Sequence, residues 1–179
     1  MGYQFEAADG SLELLMRGQL GWVQPFFTVH SFSAFVERRP DQTVVAEATV
    51  DVTVGKERKV STGGGNGPVN ALDQALRSAL RDAYPEVDHL HLTDYRVRVL
   101  DSSDGTGARV RVLIETSGPE SAWNTIGVHD NVIEASWEAL LEGLVVGLLR
   151  SEASVESGGA KGSRSPRMPK GELPSTSPS

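Results

Sequence analysis

The chain has 179 residues, no cysteine and a formal charge of −7 at pH 7, which excludes disulfides, thiolate metal sites and thiol nucleophiles. The acidic balance argues against nucleic acid or an anionic membrane as partner. The length corresponds to about one domain, enough to bury a core without covalent staples.

No stretch approaches the roughly 20 apolar residues of a membrane span, and Met1 to Glu6 has no basic region of the kind that opens a secretory signal. The expected compartment is therefore the cytoplasm. Residues 1–24 read as a short linker helix in which Leu12, Leu15, Met16 and Leu20 recur at helical spacing, ending toward Pro25. A lone amphipathic helix cannot bury its own apolar stripe, so it must dock on the rest of the chain or on something outside it.

Residues 25–150 form the expected core domain, and its sequence repeats. An extended stretch from Phe32 to Glu37 leads to "AEATVDVTV", where Ala48, Val50, Val52 and Val54 alternate with polar residues as in a half-buried strand. A turn at Gly55-Lys56, the strand "ERKVST" and a glycine cluster then precede a helix carrying Val69, Leu72, Leu76 and Leu80. The second half runs through "DYRVRVL", the turn "DSSDGTG", "ARVRVLIET", a turn at Ser117-Gly118 and "AWNTIGV". It closes with a helix holding Ile133, Trp137, Leu140, Leu141 and Leu144. An offset of about 64 residues lays Val69 on Ile133, Ala71 on Ala135, Ala75 on Ala139 and Leu76 on Leu140.

The predicted fold is α+β, with two βββα units related by a pseudo-twofold axis, their helices covering the sheets. Beyond Arg150, residues 151–179 are rich in Ser, Gly and Pro and should be disordered, because they cannot offset ordering entropy by burial. A basic interaction tail through Lys161, Arg164, Arg167 and Lys170 is the less favoured reading.

The stretch "GGGNGPVNALDQALRSAL", residues 63–80, invites a phosphate-loop interpretation. It lacks both the GK[ST] ending of a P-loop and the spacing of a dinucleotide fingerprint. Pro68 fits a first helical turn, where its missing N–H costs nothing, and Asn66 is placed to cap. A structural turn is favoured over a small-anion site. His89 and His91 would share one side of a strand and could hold a metal; two exposed histidines at a strand entry are the preferred reading. Asp94 and Tyr95 read equally well as ligand contacts or as ordinary strand residues. Trp123 and Trp137 are assigned to the core. No set of nucleophile, base and orienting group is present, so the isolated chain does not read as an enzyme.

Three segments, "GNGPVNALDQALR", "DYRVRVLDSSDGTGARVRVLIE" and "WNTIGVHDNVIEASWEALLEGL", resemble the C-terminal regulatory domain of the isopropylmalate and citramalate synthases. The opening "GYQFEAADGSLELLMR" resembles the segment that joins their catalytic barrel to that domain, and "DYRVRVLD", "DGT" and "VLIE" with "NVIEASWEAL" resemble the citramalate branch more than the isopropylmalate branch. The resemblance implies a homodimeric, feedback-sensing module that binds a branched-chain amino acid, isoleucine in preference to leucine. Its partner would be a TIM barrel, in cis or in trans, that uses a divalent metal and acetyl-CoA; the chain itself would carry neither metal nor cofactor. A leucine-sensing isopropylmalate synthase domain and a ligand-binding or dimerisation module without a synthase partner are the alternatives. A chain opening at Met1 inside the linker could be a fragment, a truncated product or a free-standing subunit.

On this reading the segment Gly65, Asn66, Gly67, Pro68, Val69, Asn70 and Ala71 faces the effector, and N–H groups from Gly67 to Ala71 receive its carboxylate. Asp94 and Tyr95 engage the ammonium or line the pocket. The side chain is taken by Val69, Leu72, Ile126 and Ile133, with Thr125 beside them.

Overall fold

The computed structural model describes residues 8–100 and 108–159. Helix α1 (Asp9–Gln19) comes first, followed by β1 (Phe27–Arg38), β2 (Val44–Val54), β3 (Glu57–Gly65) and α2 (Pro68–Leu80). A 3-10 turn (Pro85–His89) leads into β4 (His91–Val99), β5 (Val110–Ser117), β6 (Ala122–His129) and α3 (Val132–Gly159). The strands form two antiparallel sheets in the orders β1-β2-β3 and β4-β5-β6, so each unit is βββα. The expected turn "DSSDGTG", residues 101–107, lies outside the described residues.

Alternation on β2 buries Ala46, Ala48, Val50, Val52 and Val54 against α2, whose Leu72, Leu76 and Leu80 are fully enclosed. In the second unit Val112 and Ile114 of β5 are buried beneath α3, with Leu140 and Leu144. The first strand of each unit carries a bulge near its start, between Val29 and Ser31 and between Leu92 and Asp94. The units meet partly through Phe32 of β1, which stacks on Trp137 of α3 at 4.6 Å.

The duplication is clearest at two glycines. A Cβ on Gly63 would lie 2.5 Å from the Ala71 carbonyl oxygen, and one on Gly127 would lie 1.8 Å from that of Ala135. Both glycines lie two residues before the end of the third strand of a unit, and both let its helix rest directly on strand backbone. The glycine cluster is accordingly strand and not loop: Gly63, Gly64 and Gly65 pair with Ala48, Glu47 and Ala46. The turn itself shrinks to Asn66-Gly67.

Two further expectations are corrected, and one of two open courses is removed. Asn66 does not cap α2, whose N-cap is Gly67 with no side-chain hydrogen bond, although Pro68 does occupy the first turn. In α3 the cap is made by Asn131, whose Oδ1 accepts from Ile133 N at 2.8 Å. Of the two courses expected for the stripe Leu12, Leu15, Met16 and Leu20, docking on this chain does not occur, since all four side chains are more than half exposed; the course that remains is a surface outside it. That helix attaches through Leu14, which packs against the core, and through small and polar groups. Gly10 presses on β6, Asp9 accepts from Asn124 N, and Ser11 Oγ accepts from Ile126 N while donating to Glu142 of α3. Finally, α3 runs on to Gly159, so the boundary expected after Arg150 falls inside a helix; residues 160–179 lie outside the described residues. No helix among the described residues is long and apolar enough to cross a membrane.

Candidate functional site

A cleft of about 760 Å³ opens where the N-termini of α2 and α3 converge on the start of β4. Asn66, Gly67, Pro68, Val69 and Asn70 form one wall, and Tyr95, Val132 and Ile133 face them. The sequence places these residues far apart; the pseudo-twofold packing of the two units brings them together.

The two helix starts differ. Asn131 satisfies the first N–H groups of α3 from within the chain. Among the described residues nothing comparable caps α2: Ala71 N donates to the Gly67 carbonyl at 3.0 Å, and no side chain accepts from the first turn. The positive end of α2 therefore meets the cleft with the Val69 and Asn70 N–H groups uncapped, an arrangement suited to an anion. Gly65 lies outside the lining but shapes it, because a Cβ there would fall 2.3 Å from Asn70 Oδ1.

Tyr95 stands opposite. Ser136 Oγ donates its single proton to the Val132 carbonyl, so the Tyr95 hydroxyl, 2.9 Å away, donates to Ser136 Oγ. This bond fixes the phenol against α3 and leaves its oxygen able to accept. Asp94 does not share the cleft. Its Oδ1 accepts from Tyr95 N and its Oδ2 pairs with Arg96 at 2.7 Å.

Several other expected residues also lie elsewhere. Ala71 and Leu72 are fully buried in the core. Thr125 is fully buried as well and donates to the Ala139 carbonyl, which ties β6 to α3. Ile126 faces α1 through its N–H. Of the expected apolar wall, Val69 and Ile133 line the cleft, joined by Leu90 and Leu92.

The residues that sequence reasoning missed are Asp73 and Arg77. Their side chains are 9 % exposed, paired at 2.8 Å, and line the floor of the cleft. Arg77 also donates through Nη1 to the Val87 and Leu90 carbonyls, which pins the connector between the units onto α2. An i,i+4 acid–base pair usually marks the solvent side of a helix, so the pattern "DQALR" gave no sign of burial.

His89 and His91 do not share a face. Both are exposed, and His91 lines this cleft whereas His89 lies on a second one beyond the connector. Among the described residues no three His, Cys, Asp or Glu side chains cluster to hold a metal ion. Trp123 and Trp137 are buried as expected.

A duplicated βββα module with a cleft between its halves defines a class of α+β domain. Comparison with known proteins identifies which one. The family model of the LeuA allosteric (dimerisation) domain matches residues 6–147, and the chain belongs to that family. It is 50% identical over 151 residues to an (R)-citramalate synthase of Streptomyces coelicolor, covering 84% of this chain and 28% of that protein. An (R)-citramalate synthase of Synechocystis sp. is 48% identical over 151 residues, covering 82% of this chain and 28% of that protein. A 2-isopropylmalate synthase of Aquifex aeolicus is 28% identical over 113 residues, 63% of this chain and 20% of its own length. The sequence is thus nearer the citramalate synthases, and it spans less than a third of the length of these curated relatives.

Proposed function

We propose that the chain is the feedback-sensing part of a citramalate synthase-like enzyme, and that its effector, a branched-chain amino acid with isoleucine favoured, binds in the cleft between α2 and β4. The observation that carries this reading is the uncapped N-terminus of α2 opening into a cleft that sets an apolar patch, Val69, Leu90, Leu92 and Ile133, beside paired charges, Asp73 with Arg77 and Asp88 with Arg81. An amino acid's carboxylate would accept from Val69 and Asn70 N–H, where the helix dipole contributes up to about 1 kcal/mol. Its aliphatic side chain would lie against Val69, Leu92 and Ile133. Its ammonium would turn to the Tyr95 hydroxyl oxygen and the Asn66 side-chain carbonyl, since the lining carboxylates Asp73 and Asp88 are already paired with Arg77 and Arg81. This replaces the role first assigned to Asp94. Discrimination between isoleucine and leucine would rest on methyl placement, worth about 1–3 kcal/mol.

On this reading the chain works as a homodimer and alone does not condense acetyl-CoA with pyruvate; that chemistry would belong to a barrel in cis or in trans. Exposed Phe35 and Val36 on β1, with Val97 and Val99 on β4, support self-association, since both strands are sheet edges. Calorimetric titration of the folded chain with L-isoleucine, L-leucine and L-valine tests the proposal. It predicts saturable binding with isoleucine at least fivefold tighter than valine; heat absent for all three amino acids would reject it.

A further inference from the structure

On the far side of the connector lies a second cleft, of about 680 Å³, between the 3-10 turn and the later turns of α3. Its floor is apolar: Leu90 and the face of Trp123, with Gly147 so close that a Cβ would sit 2.4 Å from Leu90 and 3.1 Å from the indole. Trp123 donates its indole N–H to the Gly143 carbonyl, which fixes the ring.

The charges around this floor are unbalanced. Arg150, 4.9 Å over the Trp123 ring, is already committed to Glu13 at 3.3 Å and to Ser121 Oγ. Glu86 and Glu120 also line the cleft. Glu86 Oε2 is buried and has no hydrogen-bond partner among the described residues. Burial first, then the fields of Glu152 and Glu86, hold the Tyr84 hydroxyl above its usual range, so the negative potential extends along this end of the molecule. The cleft calls for a cationic occupant with donors to spare.

We propose that the occupant is the basic stretch of this chain's own C-terminal tail, Lys161 to Lys170. Two observations single it out. Ser151, Ala153 and Ser154 of α3 line the cleft, and the chain continues from that helix for 20 residues beyond Gly159. An extended segment of ten residues spans up to about 35 Å, enough to return from Gly159 across the opening. In a chain of net charge −7, this tail carries Lys161, Arg164, Arg167 and Lys170 against the single acid Glu172. Arg and Lys would pair with Glu86 and Glu120, and Pro166 and Met168 would cover the Trp123 floor. A segment of this composition orders weakly by itself, but tethering supplies an effective concentration in the millimolar range.

The test uses the full chain and the amide resonances of Ser121, Ser151 and Ser154 with the Trp123 indole N–H. The quadruple variant Lys161→Ala/Arg164→Ala/Arg167→Ala/Lys170→Ala should shift these four signals together, and 0.5 M NaCl should shift those of the parent the same way. A synthetic peptide of residues 160–179, added to the quadruple variant, should restore the parent positions. Adding Glu86→Gln and Glu120→Gln to that variant should weaken the peptide at least tenfold. Signals unmoved by the variant and by salt would overturn the proposal. So would signals that follow protein concentration and not tail charge, since a second copy would then fill the cleft. The inference is independent of the effector reading, because no branched-chain amino acid enters the experiment.

Discussion

At the residue scale the proposed site turns on Gly67 and its neighbours. Gly67 has an extended backbone, φ −166°, that any residue adopts, and no atom of the described residues lies within 4 Å of the position a Cβ would take. Gly67→Val should therefore fold normally while filling the mouth of the cleft, and calorimetry should show isoleucine affinity reduced at least tenfold. Asp94→Asn should leave that affinity within about twofold, because Asp94 is held by Tyr95 N and Arg96 outside the cleft. If the two variants exchanged these outcomes, the ammonium contact would have to move back to Asp94. The contrast also shows what a linear reading can deliver. Pro68 at the helix start and Val69 and Ile133 as matched positions of a repeat were legible, because turn chemistry and periodicity are local. That Asp73 and Arg77 face inward was not, because the surface that buries them is the connector, supplied from elsewhere in the chain. The swap of cap from Asn66 to Gly67 follows from the extension of β3 through Gly65, which leaves only two residues for the turn.

At the element scale, helix placement depends on close backbone approach. Gly127→Ala sets a methyl 1.8 Å from the Ala135 carbonyl oxygen and should cost about 3 kcal/mol in chemical denaturation, since backbone on both sides cannot give way. Gly18→Ala in α1 meets nothing within 4 Å and should be neutral or stabilising, by about 0.5 kcal/mol. A tolerated Gly127→Ala would mean that α3 is free to shift on β6. The docking of α1 has a pH signature. Burial, opposed by the Ser11 hydrogen bond and reinforced by Glu138, raises the Glu142 carboxyl above its ordinary value. The fold thus favours the protonated form, so Glu142 makes its full contribution below about pH 4.3 and loses it as pH rises through the elevated folded-state value. Glu142→Gln should flatten this part of the stability profile above pH 4.3 and keep an acceptor for Ser11. An unchanged slope would remove Glu142 as its source. Sequence periodicity found α1 and its apolar stripe but left open what the stripe meets; the face that packs on this chain uses Leu14 together with Gly10, Ser11 and charged groups that no hydrophobic pattern reports.

At the scale of the whole molecule, duplication is what creates the cleft. One βββα unit presents a helix N-terminus and a strand edge, and the second copy closes the space with Tyr95, Val132 and Ile133. Arg77 grips the connector from within α2, and Leu90 contributes to the walls of both clefts. On the proposed reading, a ligand seated at the α2 start would bear on the joint between the units, a lever of the kind that sensing requires. The repeat was legible in the sequence because its glycines, alanines and leucines recur at matching positions; the pairing of the units was not, because it depends on contacts such as Phe32 on Trp137 between distant segments. The most direct test is to titrate the isotopically labelled chain with L-isoleucine and follow the backbone amides. The account predicts the largest shifts at Val69 and Asn70, with smaller ones at Tyr95 and Ile133 and little change at Thr125 and Ile126. Shifts centred on Ser121 and Ser154, or none at saturating ligand, would contradict it.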